Sequence, residues 1–213
     1  MTPLPTGKFG AILADPPWTF QAWHAGGWRV REDGTRYYSA ASPKAAQYPT
    51  MSADDIAAMP IAGLAADNCV LFLWGCWPML PQALQVIEGW GFAYKSCGFV
   101  WTKANVQQVD MFRDDADPDM LLGYWTRANT EFCLIGTRGK PKRLDAGIRQ
   151  AIIAPRREHS RKPDGIHERI ERLVAGPYLE LFARQQRPGW TVWGNQTDKF
   201  KAAACVARKG GAE

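Results

Sequence analysis

Residues Phe9–Ala14 (FGAILA) form a short apolar run that ends at once in Asp15-Pro16-Pro17-Trp18. No other feature restricts the folding of this chain as strongly. An apolar run of this length, bounded by glycine and proline, reads as a buried strand. Neither proline can donate to a sheet ladder, and each turns the residue before it away from helix. The strand therefore passes into a stiff, extended turn that presents one carboxylate, one exposed carbonyl and one large ring.

Further β-rich runs follow at Cys69–Trp74, Ser96–Thr102, Glu131–Thr137, Ile148–Ala154, Tyr178–Ala183 and Thr191–Trp193. Helical patterns lie between them. Ser52-Ala53-Asp54-Asp55 has capping-box form and opens a helix toward Ala58. Met79–Trp90 carries apolar residues at helical spacing and stops before Gly91. After Pro163-Asp164, Ile166, Ile170, Leu173 and Val174 share one face of a helix that Gly176 terminates. Strands alternating with helices predict an α/β layered fold with a largely parallel sheet. Gln21–Gln47 and Lys103–Asn129 resist assignment and exceed ordinary loop length, which suits functional lids or disorder. With no repeat and no linker, residues 1–198 read as one domain, and 199–213 as a basic, flexible tail.

Composition narrows the function classes. No apolar stretch reaches the length of a membrane span, and Met1-Thr2-Pro3-Leu4-Pro5 is no signal peptide, so a cytoplasmic protein is expected. Five cysteines without a CxxC pair, and three histidines without ligand spacing, predict free thiols and no metal site. The 26 Lys+Arg against 21 Asp+Glu give a net charge of +5 and suggest a polyanionic partner. The basic residues cluster in Arg138–Arg143 (RGKPKR) and Arg156–Lys162 (RREHSRK).

In open α/β sheets ligands bind beyond the carboxyl ends of the strands, where Asp15–Trp18 is expected. A carboxylate, a proline carbonyl and an aromatic face suit a planar aromatic amine. The exocyclic amino group donates two hydrogen bonds, which Asp15 and the Pro16 carbonyl could accept. Holding both protons localises a lone pair otherwise spread into the ring. An aromatic such as Trp18 can stack on a base taken out of its helix. Taken alone, the tetrapeptide also fits a rigid turn with a core tryptophan.

Asp15-Pro16-Pro17-Trp18 resembles the catalytic motif of adenine-N6 methyltransferases related to the catalytic subunit of the eukaryotic mRNA adenosine methyltransferase. Tyr48–Ile56 (YPTMSADDI), Val70–Gly75 (VLFLWG), Phe99–Asn105 (FVWTKAN), Gly123–Pro141, Ser160–Arg184 and Trp190–Gln196 (WTVWGNQ) resemble later family segments, in the family's order. The resemblance implies a Rossmann-like methyltransferase fold with permuted motif order, S-adenosylmethionine as donor and adenine N6 as acceptor. The general glycine-rich loop of methyltransferases is missing from Tyr178–Arg184 (YLELFAR).

On that resemblance Asp15, Pro16, Pro17 and Trp18 are catalytic, and Asp15 also neighbours the donor. Lys162 matches the lysine that meets the donor's carboxylate, and Glu180, Leu181, Phe182 and Arg184 match residues around its ribose. Asn195 and Gln196 carry paired donors and acceptors suited to ribose and adenine edges. Tyr48, Trp125 and Glu131 match positions around the acceptor adenosine. Arg138, Lys140, Lys142, Arg143, Arg156, Arg157 and Arg161 are candidates for phosphate contacts.

The chain departs from the family in two places. Only fourteen residues precede Asp15, so the contact that an upstream aspartate segment of the family makes to the donor's adenine is expected to be absent or to come from elsewhere. Gln185-Gln186-Arg187 stands where histidine and asparagine are usual. A compact form without accessory domains resembles the bacterial or phage branch, which favours DNA as the substrate. An RNA methyltransferase, or a non-catalytic scaffold that binds nucleic acid, is the alternative. Homodimer, partner subunit and recognition sequence are left open.

Overall fold

The computed structural model describes residues 3–19, 27–39, 49–104, 126, 128–158 and 161–200. Nine strands and three α-helices are found among these residues. Strand β1 (Phe9–Ala14) lies inside a seven-stranded sheet, between β4 (Ala65–Gly75) and β8 (Tyr178–Leu181) and parallel to both. Ile12 stands opposite Leu71 on one side and Leu179 on the other, and Ala14 opposite Leu73 and Leu181. Outside β8 runs β9 (Trp190–Trp193). Beyond β4 the order is β6 (Thr130–Arg138), β5 (Ala93–Ala104) and β7 (Ala151–Pro155). Of the seven, β6 alone runs against its neighbours. One edge of the sheet therefore carries the carboxyl ends of six strands and the amino end of β6.

Alternation along β1 divides the core. Ile12 and Ala14 join an apolar cluster with Leu71, Leu73, Phe132 and Leu179 on one face, whereas Ala11 and Leu13 join Phe72, Trp74, Phe99 and Ile152 on the other. Helices α1 (Ala53–Ala57) and α2 (Leu80–Gly89) cover the first face; α3 (Gly165–Leu173) covers the second through Ile166 and Ile170. With both faces buried, the strands need to be apolar throughout, which is why the sequence shows runs instead of alternation. At α1 the Asp55 N–H donates to Ser52 Oγ at 3.0 Å, and the Ser52 hydroxyl donates to Asp55 Oδ2 at 2.7 Å. The Trp90 indole then donates to Ile56 O at 2.7 Å, which fastens the end of α2 to α1.

The fold is an α/β, Rossmann-like arrangement with a mixed, mostly parallel sheet, as the sequence predicts. Boundaries differ where ladder partners extend a strand past its apolar run: β5 begins at Ala93 because Ala93 and Tyr94 pair with Thr137 and Gly136. Helix α3 ends at Leu173, and Val174 is already extended. Inside the stretch that resisted assignment, β2 (Gly27–Val30) and β3 (Arg36–Ser39) form an antiparallel hairpin. Its turn holds Asp33-Gly34, with Gly34 at φ 82° and Asp33 Oδ1 accepting from both Thr35 N and Thr35 Oγ1. That dipeptide is a hairpin signal in its own right. Most of Lys103–Asn129 and the tail from residue 201 lie outside the described residues.

Candidate active site

Asp15 follows β1 at the edge where six strands end, beside Trp74 of β4 and Phe182 just past β8. The turn after it is braced from several sides. Trp18 N donates to Pro16 O at 2.9 Å, Met51 N to Pro17 O at 2.8 Å, and the Trp18 indole to Trp74 O at 3.0 Å. Trp18 is thus an anchor as well as a wall of the site. The Pro16 carbonyl still has a second lone pair available.

Four side chains from distant elements form a chain of alternating charge around Asp15. Lys162 Nζ lies 2.9 Å from Asp15 Oδ1 and from Oδ2 and 3.2 Å from Glu131 Oε2, and Lys103 Nζ lies 2.7 Å from Glu131 Oε1. All four are largely shielded from water. Burial holds the Asp15 carboxyl above its ordinary value, against the pull of the Lys162 ammonium and with reinforcement from Glu131. Burial acts upward on Glu131 too, but two ammonium groups overcome it and bring its carboxyl down to about 2. Lys162, between two carboxylates, is held above the ordinary lysine range despite the opposing effect of burial. Two carboxylates and two amino groups thus alternate along one chain of contacts.

Two clefts meet at this network. The first, of about 470 Å³, is walled by Asp15, Trp74, Arg161, Lys162, Asp164, His167, Glu180, Phe182, Arg184 and Gln185, among others. The second, of about 870 Å³, is walled by Asp15, Pro16, Trp18, Gly75, Cys76, Trp101, Lys103, Glu131, Arg156, Arg157, Glu158, Arg161 and Lys162. Asp15, Arg161 and Lys162 belong to both. Such a layout lets two bound groups approach each other at one carboxylate.

In the first cleft Glu180 Oε2 lies 2.7 Å from His167 Nε2, with His167 5% exposed and edge-on to Trp190 at 4.9 Å. Phe182 has φ 60°, a sparsely populated backbone region that costs of order 1–3 kcal/mol and clusters at functional sites. That conformation turns the chain out of β8 so that the ring meets Trp193 at 5.5 Å. Gly194 makes this turn fit, because a Cβ there would lie 2.5 Å from Ala183 O. The Trp74 indole N–H and Arg161 Nε are buried without a hydrogen-bond partner among the described residues, so two wall residues retain donors for a ligand.

The remaining expected site residues fall into four groups. Arg156, Arg157 and Arg161 do reach the second cleft; Arg157 is tied to Asp164 at 2.6 Å and Arg161 to Glu158 at 3.1 Å. Leu181 is buried in the core, while Asn195 and Gln196 stand exposed beyond the cleft, Gln196 accepting from Arg184 at 3.2 Å. Arg138, Lys140, Lys142 and Arg143 lie at the opposite end of the sheet from Asp15. Arg138 donates to Ala62 O and Lys140 N to Asn68 Oδ1, and the loop they begin is tied at Leu144 N to Leu173 O. The reversed direction of β6 sends its basic end away from the clefts. Tyr48 and Trp125 lie outside the described residues.

Sequence reasoning did not single out Lys103, Trp101, Cys76 or His167. Lys103 had a usable signal, since it closes an apolar strand as Asp15 does. His167 had none: it sits on a helix with nothing in the sequence to pair it with Glu180. No group of metal-ligating side chains occurs among the described residues, whose four cysteines, Cys69, Cys76, Cys97 and Cys133, are free thiols. Burial pushes the Cys69 thiol up to about 12.

The family model described as MT-A70 matches residues 9–196. The type II methyltransferase M.MunI of Mycoplasma sp is 30% identical over 197 residues, which are 90% of this chain and 78% of that protein. The N(6)-adenosine-methyltransferase MT-A70-like protein of Drosophila melanogaster is 30% identical over 92% of this chain, and the human N(6)-adenosine-methyltransferase catalytic subunit METTL3 is 29% identical over 90%. The chain spans only 28% and 29% of those two eukaryotic proteins.

Proposed function

This chain belongs to the MT-A70 family, and from that premise we propose that it methylates N6 of adenine in DNA with S-adenosylmethionine as donor. It is an adenine-N6 methyltransferase. The observation that carries the finer reading is the meeting of two clefts at Asp15 and Lys162. The first takes the donor and the second the acceptor base.

The donor cleft suits its ligand chemically. Glu180 offers a carboxylate to a ribose diol, Phe182 an apolar face, Lys162 a cation for a carboxylate, and Trp74 an unpartnered N–H. S-adenosylmethionine, when bound, supplies a methyl group on a positively charged sulfur. In the acceptor cleft Asp15 and the Pro16 carbonyl accept the two N6–H bonds, which frees the nitrogen lone pair for in-line attack. Alkylation makes the amine acidic, so its proton leaves late and a weak acceptor suffices. A carboxyl held above its ordinary value by burial suits that role. Lys162 keeps Asp15 oriented, and Lys103 with Glu131 fixes Lys162 from behind. Arg156, Arg157 and Arg161 supply positive charge for the phosphates of the acceptor strand. No helix among the described residues is long and apolar enough to cross a membrane.

The deciding experiment follows labelled methyl from S-adenosylmethionine into duplex DNA, single-stranded DNA and RNA, with nucleoside analysis and Asp15→Ala as control. N6-methyladenine in DNA, lost in the variant, is the expected result. Product in RNA alone refutes the DNA reading. Neither product nor donor binding refutes the catalytic reading and leaves a scaffold.

A further inference from the structure

We propose that Trp77 is a stacking platform for a nucleobase adjacent to the target adenine, an inference that rests on the reading of the acceptor as nucleic acid. Cys76 lines the acceptor cleft, and Trp77 is the next residue, at the same sheet edge. The residue is 46% exposed, unusual for the largest apolar side chain. The ring is nevertheless held. The indole N–H donates to Thr130 Oγ1 at 2.8 Å, and the ring meets Phe132 edge-on at 5.1 Å. Phe132 reaches that position because Gly75 has no side chain, since a Cβ there would lie 2.6 Å from the Phe132 ring. Thr130 and Phe132 flank Glu131, so the same short segment fixes both the charge network and the exposed indole.

A rigid, exposed aromatic beside a cleft-lining residue is what an unstacked base needs. Drawing adenine toward Asp15 takes it out of its stack and leaves its neighbour with one uncovered face. Arg156 and Arg157 line the same cleft as Cys76, the neighbour of Trp77, and stand on the segment that leads into α3. A strand that enters the cleft meets guanidinium groups within it, and the exposed indole stands next in the chain to one of its lining residues. Phosphate charge and base stacking are the two general elements of single-strand binding, and they are present here together.

The test compares wild type with Trp77→Ala, Trp77→Leu and Trp77→Phe. It measures equilibrium binding of a fluorescein-labelled, adenine-containing single-stranded oligodeoxynucleotide, KM for the same strand, and Kd for S-adenosylmethionine. Loss of a base–aromatic stack predicts roughly tenfold weaker strand binding and higher KM in the Ala variant, with donor Kd unchanged. The Phe variant recovers most of the loss. The Leu variant, which keeps apolar cover but lacks a π face, resembles Ala and decides the matter if Ala does not fold. Wild-type affinity in Trp77→Leu with normal donor binding overturns the proposal. So does a change in the sedimentation of the protein without nucleic acid, because a second copy of the chain then covers the ring. Wild-type protein that methylates DNA while the variants match it refutes the Trp77 platform alone. Wild-type protein that neither binds nor methylates any nucleic acid refutes the acceptor reading, and the platform with it.

Discussion

The Lys162 ammonium lies 2.9 Å from both carboxylate oxygens of Asp15, although 147 positions separate the two in the chain. Lys162 precedes α3, on one face of the sheet, and Asp15 ends a strand in the middle of it. Their contact closes the wall between the two clefts, and each change to it has a distinct expected outcome.

On the proposed roles, replacing Asp15 by Ala removes an acceptor of the target amine. Transfer falls by about 10²–10³-fold or more, as for loss of other preorganised electrostatic groups. Lys162 keeps Glu131 as a partner at 3.2 Å, so the protein stays folded. Single-turnover rates alongside a thermal melt test both statements, and near-normal turnover refutes the assigned site.

Lys162→Met leaves Asp15 without the ammonium that faces it. Removing one member of a buried pair costs about 3 kcal/mol, read from urea unfolding. The sign for catalysis also follows. Loss of the nearby positive charge raises the Asp15 carboxyl further, so the acid limb of the rate profile moves to higher pH. An unshifted limb argues that Asp15 does not titrate in the profile.

Glu131 supplies a pH dependence of stability. Its carboxyl is depressed to about 2 in the fold from an ordinary value of 4.5. Stability from this depression is fully present above the unfolded value and is lost as pH falls toward 2. It amounts to about 3 kcal/mol. Unfolding of Glu131→Gln shows a flatter slope between these pH values. Equal slopes in the two proteins contradict the ion-pair account.

His167→Ala removes the partner of Glu180 at 2.7 Å. An intramolecular hydrogen bond contributes about 0.5–1.5 kcal/mol, so on the proposed donor cleft, where this bond orients Glu180, donor affinity falls by up to roughly tenfold. The effect appears in KM for the donor and leaves KM for the nucleic acid unaltered. Equal changes in both indicate collapse of the helix instead.

The local sequence contained much of this. A run of six apolar residues stopped by two prolines needs no tertiary information to read as a strand with a carboxylate at its end. The capping geometry at Ser52 is local in the same sense, because its partners lie three residues apart. The order of motifs also carried the family, which residues 9–196 match. What stayed hidden was direction and long-range pairing. Runs such as Glu131–Thr137 look alike whichever way they run, because burial on both faces erases the asymmetry. Only the antiparallel ladder of β6 against β4 and β5 brings Glu131 to Asp15 while sending Arg138 to the far end. His167 meets Glu180, and Lys103 reaches Glu131, by packing that no spacing encodes. The sequence by itself determined which groups are available and that a strand presents Asp15. The tertiary structure decided which of those groups share a cleft, because charges influence one another through distance and dielectric, and both are set only once the chain has closed around them.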